Sequence, residues 1–238
     1  MGRANRLLAA LVTAIATGFR TLKNADAFQN KITFHGNPVR PAVLAAATTP
    51  YDAPQPGGSL NLLVFGGSQG ARVMSEIVPP ALEQLDAALR ARLTIVQQAR
   101  AEDLDAVRTT YGRLGVKAEC EPFFSDLPAR MAAAHLVVSR SGASTVAELS
   151  AIGRPALLVP LPHALDQDQL ANAGVLESAG GAITIVQRDF TPERLAREIA
   201  AFAAAPDRLT AMAAAAKGAG TVDAAERLAD LVMKTAGI

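Results

Sequence analysis

From residue 60 onward, short apolar runs alternate with longer amphipathic stretches, and that alternation leaves few architectures open. The runs are Leu60–Phe65, Leu93–Val96, Val116–Cys120, Leu136–Ser139, Ala156–Pro160 and Ala182–Val186. Apolar spacing predicts helices over Ala71–Leu89, Ala101–Leu114, Asp126–Ala134, Thr145–Ile152, Asp166–Ser178 and Pro192–Ala203, then two more helical segments to the C-terminus. Strands separated by helices of this length imply right-handed crossovers and a parallel sheet covered on both faces. Several runs are continuously apolar, as strands buried on both sides require. The expected fold class is α/β, a Rossmann-like doubly wound parallel sheet.

Residues 1–59 break the alternation. Arg3–Leu22 reads as a helix, Ile32–Phe34 as a brief strand, and Thr48–Ser59 as a linker of Pro, Gly and small polar residues. One helix and one short strand have no second layer to bury against. We therefore expect 1–47 to be the closing segment of a larger unit, 48–59 a linker, and 60–238 the sheet domain. Met1–Arg6 followed by Leu7–Ala16 has some leader-like character. No small-residue cleavage pattern follows, and Arg20 and Lys23 come soon after, so a signal peptide is not expected.

The 238 residues are 50% hydrophobic, and charges interrupt them before a membrane span of about 20 residues can accumulate. With 23 Lys+Arg against 22 Asp+Glu (23 − 22 = +1) and no basic block, the chain has no electrostatic footprint for nucleic acid. An anionic ligand has to be held locally. The single cysteine, Cys120, cannot form an internal disulfide, and His35, His135 and His163 lack metal-ligand spacing. A reducing cytoplasm and a scaffold without metal or cofactor are expected.

Four short motifs stand where strands end. In Phe65-Gly66-Gly67-Ser68-Gln69-Gly70-Ala71-Arg72, glycines permit a tight turn and close approach to a ligand, while free N–H groups and the helix dipole favour a phosphate. It is not the dinucleotide fingerprint, since Phe65 stands where a glycine would be needed and the second strand closes on Val96-Gln97-Gln98 without an acid. A tight βα turn with no ligand is the competing explanation. Ser139-Arg140-Ser141-Gly142-Ala143-Ser144-Thr145 offers a second helix N-terminus from the same sheet edge. Glu148 can be explained structurally, because Thr145-x-x-Glu148 is a capping box. Pro160–Asn172 places amide side chains where they can reach sugar hydroxyls, or simply solvent. Arg40, in His35-Gly36-Asn37-Pro38-Val39-Arg40, has a planar fork suited to phosphate, although isolated surface arginines are common.

Taken together, G-N-P-V-R, G-G-S-Q-G-A, S-R-S-G-A-x-T-V-A-E and V-P-x-P-H-x-x-D-x-D-Q-x-x-N-A resemble the MurG family of N-acetylglucosaminyltransferases, which makes lipid II of peptidoglycan. The resemblance implies the C-terminal half of a GT-B glycosyltransferase, binding the donor substrate UDP-N-acetylglucosamine. It places Arg40 near the uridine diphosphate, Gly67, Ser68 and Gln69 at the diphosphate and sugar, and Phe124 at the uracil edge through backbone groups. Ser141, Gly142, Ala143, Ser144 and Thr145 would form the second phosphate-facing turn. Glu148 would hold the ribose hydroxyls, which shifts the balance from cap to ligand. Gln167 and Gln169 are both candidates for the sugar hydroxyls, the stretch after His163 being one residue longer than the family pattern.

Residues 1–40 resemble only the end of that family's acceptor domain, so the chain reads as a truncated member. In a complete enzyme the lipid I hydroxyl would attack the anomeric carbon with inversion, and fixed N–H dipoles would stabilise the charge developing on the β-phosphate. The base and the lipid I site are expected in the missing domain; His163 is grouped with the donor-binding residues and is also a local candidate base. The resemblance also implies peripheral attachment to the cytoplasmic membrane face, with Leu7–Phe19 able to contribute but expected in core packing. A subunit of a split glycosyltransferase and an inactive fragment are the alternatives.

Overall fold

The computed structural model describes residues 2–20, 22, 25–67, 70–162 and 168–238. Six strands, β3 (Leu60–Phe65), β4 (Leu93–Gln98), β5 (Lys117–Glu121), β6 (Leu136–Ser139), β7 (Ala156–Leu158) and β8 (Ala182–Thr184), form one parallel sheet in the order β5-β4-β3-β6-β7-β8. Counting from β3, that is the 3-2-1-4-5-6 order of a Rossmann fold, and the order reverses between β3 and β6. Ahead of the sheet lie α1 (Arg3–Leu8), β1 (Ile15–Thr17), β2 (Ile32–Phe34) and α2 (Pro41–Ala46). The crossovers carry α3 (Arg72–Glu83), α4 (Ala87–Arg90), α5 (Leu104–Leu114), α6 (Leu127–Ala133), α7 (Ala143–Ile152) and α8 (Asp168–Ser178). The chain closes with α9 (Pro192–Ala204), α10 (Pro206–Gly218) and α11 (Ala224–Ala236).

The pleat sorts the strand residues into two cores. Leu60, Leu62 and Val64 face α3, α5 and α9 through Met74, Val78, Tyr111, Leu195 and Phe202. Leu63 and Phe65 face α2, α6, α7 and α8 through Val43, Met131, Leu149 and Leu176. The inner strands β3, β6 and β7 are therefore covered on both sides, which is why those runs read as continuously apolar, whereas the edge strand β5 leaves Lys117, Ala118 and Glu119 exposed. Cys120 sits in the first core, where burial pushes its thiol up to about 11, so it is protonated at neutral pH.

Three expectations are corrected. Arg3–Leu22 is not one helix: α1 stops at Leu8, and Ile15–Thr17 pairs in parallel with β2. Lys31 Nζ donates to the carbonyls of Ala9, Ala10 and Val12, while β-branched Thr13, Ile15 and Thr17 favour extended chain. Leu7, Leu8, Leu11 and Val12 are exposed rather than packed in a core. The helix expected over Ala71–Leu89 divides, because Asp86 takes an extended conformation and its carboxylate caps α4 at Leu89 N–H, 2.8 Å away.

Two tethers hold the linker's first residues to the sheet domain. The buried Arg154 guanidinium donates to the carbonyls of Ala132, Ile152, Gly153, Thr49 and Pro50, and Tyr51 Oη donates to the His135 carbonyl at 3.0 Å. Helix α2 packs on α6 and α7. Arg154→Met should cost about 2–4 kcal/mol in urea denaturation, because several buried carbonyls lose their donor together.

His135 Nδ1 accepts from Asn61 N–H at 3.0 Å, and burial holds the ring below its ordinary pKa. Below about pH 6.5 the unfolded chain binds the extra proton, so this stability is present above that pH and is lost on acidification. His135→Asn should flatten the fall in Tm between about pH 7.5 and about pH 5.5 relative to the unmodified chain, measured by scanning calorimetry.

Candidate functional site

Because β3 and β6 are adjacent and parallel, the turns that follow them leave the same rim of the sheet. After β3 the backbone enters left-handed conformations at Gly67 (φ +93°) and Gly70 (φ +70°), closed by Gly70 N–H donating to Gly67 O at 3.0 Å. A Cβ on Gly66 would overlap the backbone of Gly70 and Ala71, so only glycine fits there. After β6 the chain turns through Arg140–Gly142 into α7. No side chain caps α3 or α7, a feature they share with α5, α6, α10 and α11, whereas Asp86 caps α4 and Thr191 caps α9. Both helices thus present free N–H groups and positive dipole ends at the switch point, where α/β sheets bind ligands.

A cleft of about 380 Å³ lies between these turns, lined by Arg40, Gly67, Gln98, Phe124, Thr145 and Glu148 among others. Ser144 is also on its wall. The floor is apolar, with Phe65 from β3 and Phe124 buried under the Arg130 guanidinium, 4.3 Å from ring centroid to guanidinium carbon. Phe123 lines the same wall but is 68% exposed.

Glu148 is the buried charge of this cleft. Its Oε1 accepts from Arg40 Nη2 at 3.0 Å, with the carboxylate side chain 10% and the arginine side chain 61% exposed. This removes the competing capping-box explanation of Glu148. The N-cap of α7 is Gly142, so Thr145 lies inside the helix, and Glu148 reaches across to Arg40 instead of back to its own backbone. Segment 38–40, remote in sequence, becomes part of the cleft through this contact.

Beneath the Ser141–Ser144 turn, the buried Arg140 donates to the carbonyls of Val159 and Pro160, both at 3.1 Å, and to Gln187 Oε1 at 2.6 Å. Burial lowers its pKa, yet a guanidinium stays charged, and among the described residues no carboxylate pairs with it. Its field adds to the dipole of α7 in favouring an anion.

Each turn gives only some of its residues to the cleft. Gly67, Phe124, Ser144, Thr145, Glu148 and Arg40 meet on its walls. Gly142 and Ala143 form the start of α7 behind them. Ser141 is occupied structurally: its Oγ donates to Gln169 O at 2.7 Å and its carbonyl accepts from Asn172 Nδ2 at 3.1 Å. Gln169 Oε1 accepts from Leu161 N–H at 3.0 Å, which fixes that side chain beside the rim rather than on the cleft wall. Ser68, Gln69, His163 and Gln167 lie outside the described residues. Gln98 and Phe123 escaped the sequence reading; a polar residue closing an otherwise apolar strand was the available signal for the first.

A family model described as "Glycosyltransferase family 28 C-terminal domain" matches residues 61–228. The UDP-N-acetylglucosamine--N-acetylmuramyl-(pentapeptide) pyrophosphoryl-undecaprenol N-acetylglucosamine transferase of Rhodopseudomonas palustris (strain BisA53) is 64% identical over 100% of this chain and 64% of that protein. The protein of the same name from Bradyrhizobium diazoefficiens is 62% identical, over 100% of this chain and 65% of its own length. The chain spans about 64% of the length of the curated relatives it matches. Among solved structures, Acinetobacter baumannii MurG superposes with a TM-score of 0.79 at 29% identity, covering 98% of this chain and 64% of that one. The S. aureus MnaA-UDP co-structure superposes at 0.66 with 13% identity, over 96% and 62%, a likeness of fold alone.

Glycine geometry yields a paired test. Gly142→Ala has φ −58° and only Thr145 Oγ1 nearby, at 3.8 Å, so its cost should stay within about 0.5 kcal/mol. Gly66→Ala has to move the turn, and amide exchange at Gly67 and Gly70 should accelerate while the sheet amides remain protected.

Proposed function

The chain belongs to the glycosyltransferase family 28 C-terminal domain family, and from that membership we propose that it is the donor-binding half of an inverting N-acetylglucosaminyltransferase. The donor is UDP-N-acetylglucosamine and the acceptor lipid I, giving lipid II, as the names of the relatives at 61–64% identity suggest. The observation that carries this reading is one cleft at which Gly67 of the turn after β3, the uncapped first turn of α7, a buried carboxylate and an aromatic wall meet.

On this reading the diphosphate lies between the Gly66–Gly70 turn, with Ser68 and Gln69, and the N-terminus of α7. Arg40 closes over it. Glu148 accepts from the ribose hydroxyls, and its present hydrogen bond to Arg40 supports a side chain poised to take a donor at that position. The backbone at Phe124 meets the uracil edge. Gln169 or Gln167 serves the sugar, and His163 is assigned to the same donor. When the acceptor hydroxyl attacks the anomeric carbon, negative charge grows on the β-phosphate. Donors already fixed at that point stabilise it without reorganising, and the Arg140 charge adds to them.

The acceptor site and the base that takes the hydroxyl proton are assigned outside these residues, in a further domain or chain. Peripheral attachment to the cytoplasmic membrane face is part of the same proposal. Exposed Leu7, Leu8, Leu11 and Val12 support it, and among the described residues no helix is long and apolar enough to cross a membrane.

Calorimetric titration with UDP-N-acetylglucosamine should give saturable heat; none at millimolar ligand would refute the reading. Glu148→Ala should weaken that binding by about 1–3 kcal/mol through loss of a buried hydrogen bond. Unchanged affinity with a lower Tm would remove Glu148 from the ribose. Product formation from lipid I by this polypeptide alone should stay at background.

A further inference from the structure

Strand β4 lies between β3 and β5, and its last residue sits where all three chains part. The β3–β4 ladder ends at Val64 and Gln97, the β4–β5 ladder at Gln98 and Glu121. Beyond them β3 runs into the glycine turn and β5 into Pro122-Phe123-Phe124. At this fork the Gln98 side chain, 5% exposed, reaches both ways. Its Oε1 accepts from Gly66 N–H at 3.3 Å, and its Nε2 donates to the Pro122 carbonyl at 3.1 Å. Gln98 also lines the cleft.

We propose that Gln98 is a positioning residue that sets the separation between the turn gripping the diphosphate and the loop gripping the nucleobase of a uridine diphosphate ligand. This rests on the nucleotide-sugar reading above. A Cβ on Gly66 would meet Gly70 and Ala71, so the backbone doubles back at close range there. The base-side loop is anchored, with Phe124 buried beneath Arg130. One amide bonded to both sides of the fork makes a two-point grip whose span it sets. Among the described residues, Gln98 is the one side chain hydrogen-bonded to both. A primary amide suits the position chemically, because one end must accept from an N–H while the other donates to a carbonyl. Leucine can do neither, and a glutamate carboxylate can only accept.

A ligand that touches both loops depends on their spacing, whereas one that touches a single loop does not. Gln98→Leu should weaken UDP about tenfold or more, by loss of effective concentration at the second contact, and uridine by less than about threefold. UDP is read by calorimetry and uridine by NMR titration. Gln98→Glu adds a second, independent readout. Only its protonated carboxyl can donate to Pro122, so the ratio of its UDP affinity to that of the unmodified chain should rise as pH falls from about 8 to about 5.5. Equal weakening of UDP and uridine by Gln98→Leu, or none, would overturn the proposal, as would a Gln98→Glu ratio independent of pH. Should Gln98→Leu fail to fold, the glutamate titration decides alone. If the unmodified chain binds no UDP, the nucleotide reading itself falls and takes this role with it.

Discussion

Everything at the rim follows from a parallel sheet whose inner strands are buried on both faces and whose strand order reverses between β3 and β6. Parallel strands must each return by a crossover, so all their C-terminal ends lie together. At the reversal, the helices after β3 and β6 leave toward opposite faces and open a crevice between them. Neither helix spends a side chain on its own first turn. The cleft is thus a by-product of topology, and the glycines only allow a ligand to come close to what the topology already points there.

Two buried arginines and the surface Lys217 organise the periphery. Arg154 gathers carbonyls from residues 49–50, 132 and 152–153, Arg140 those of Val159 and Pro160, and Lys217 those of Ala47 and Ala151. Each ties segments that are distant in sequence, using backbone acceptors that would otherwise be stranded away from water. Because these partners are neutral, the positive charge is not cancelled, and at Arg140 it lies under the turn that starts α7.

The alternation of runs and helices made the sheet legible, because burial on both faces leaves a pattern that survives in one sequence. The Gly66–Gly70 and Ser141–Ser144 turns were legible for the same reason: each interrupts such a pattern at a strand end. The N-terminal segment was not. Apolar spacing in Arg3–Leu22 suits a helix locally, but β2 offers a partner for Ile15–Thr17 and Lys31 collects the carbonyls behind α1, neither of which periodicity can register. Glu148 showed the same limit. Its spacing from Thr145 is that of a capping box, and only the position of Arg40, more than a hundred residues earlier, decides where the carboxylate goes. Gln98 was passed over because its partners are main-chain atoms of two other loops, which no motif records.

At the far rim, left-handed glycines close three helices: Gly115 after α5, Gly153 after α7 and Gly180 after α8. These turn the chain into β5, β7 and β8 without facing the cleft. The two ends of the sheet therefore answer to different demands, one to chain reversal and the other to recognition. Such a layout lets the recognition end diverge toward new ligands while the folding end stays put, an arrangement under which one scaffold can be retuned without being rebuilt.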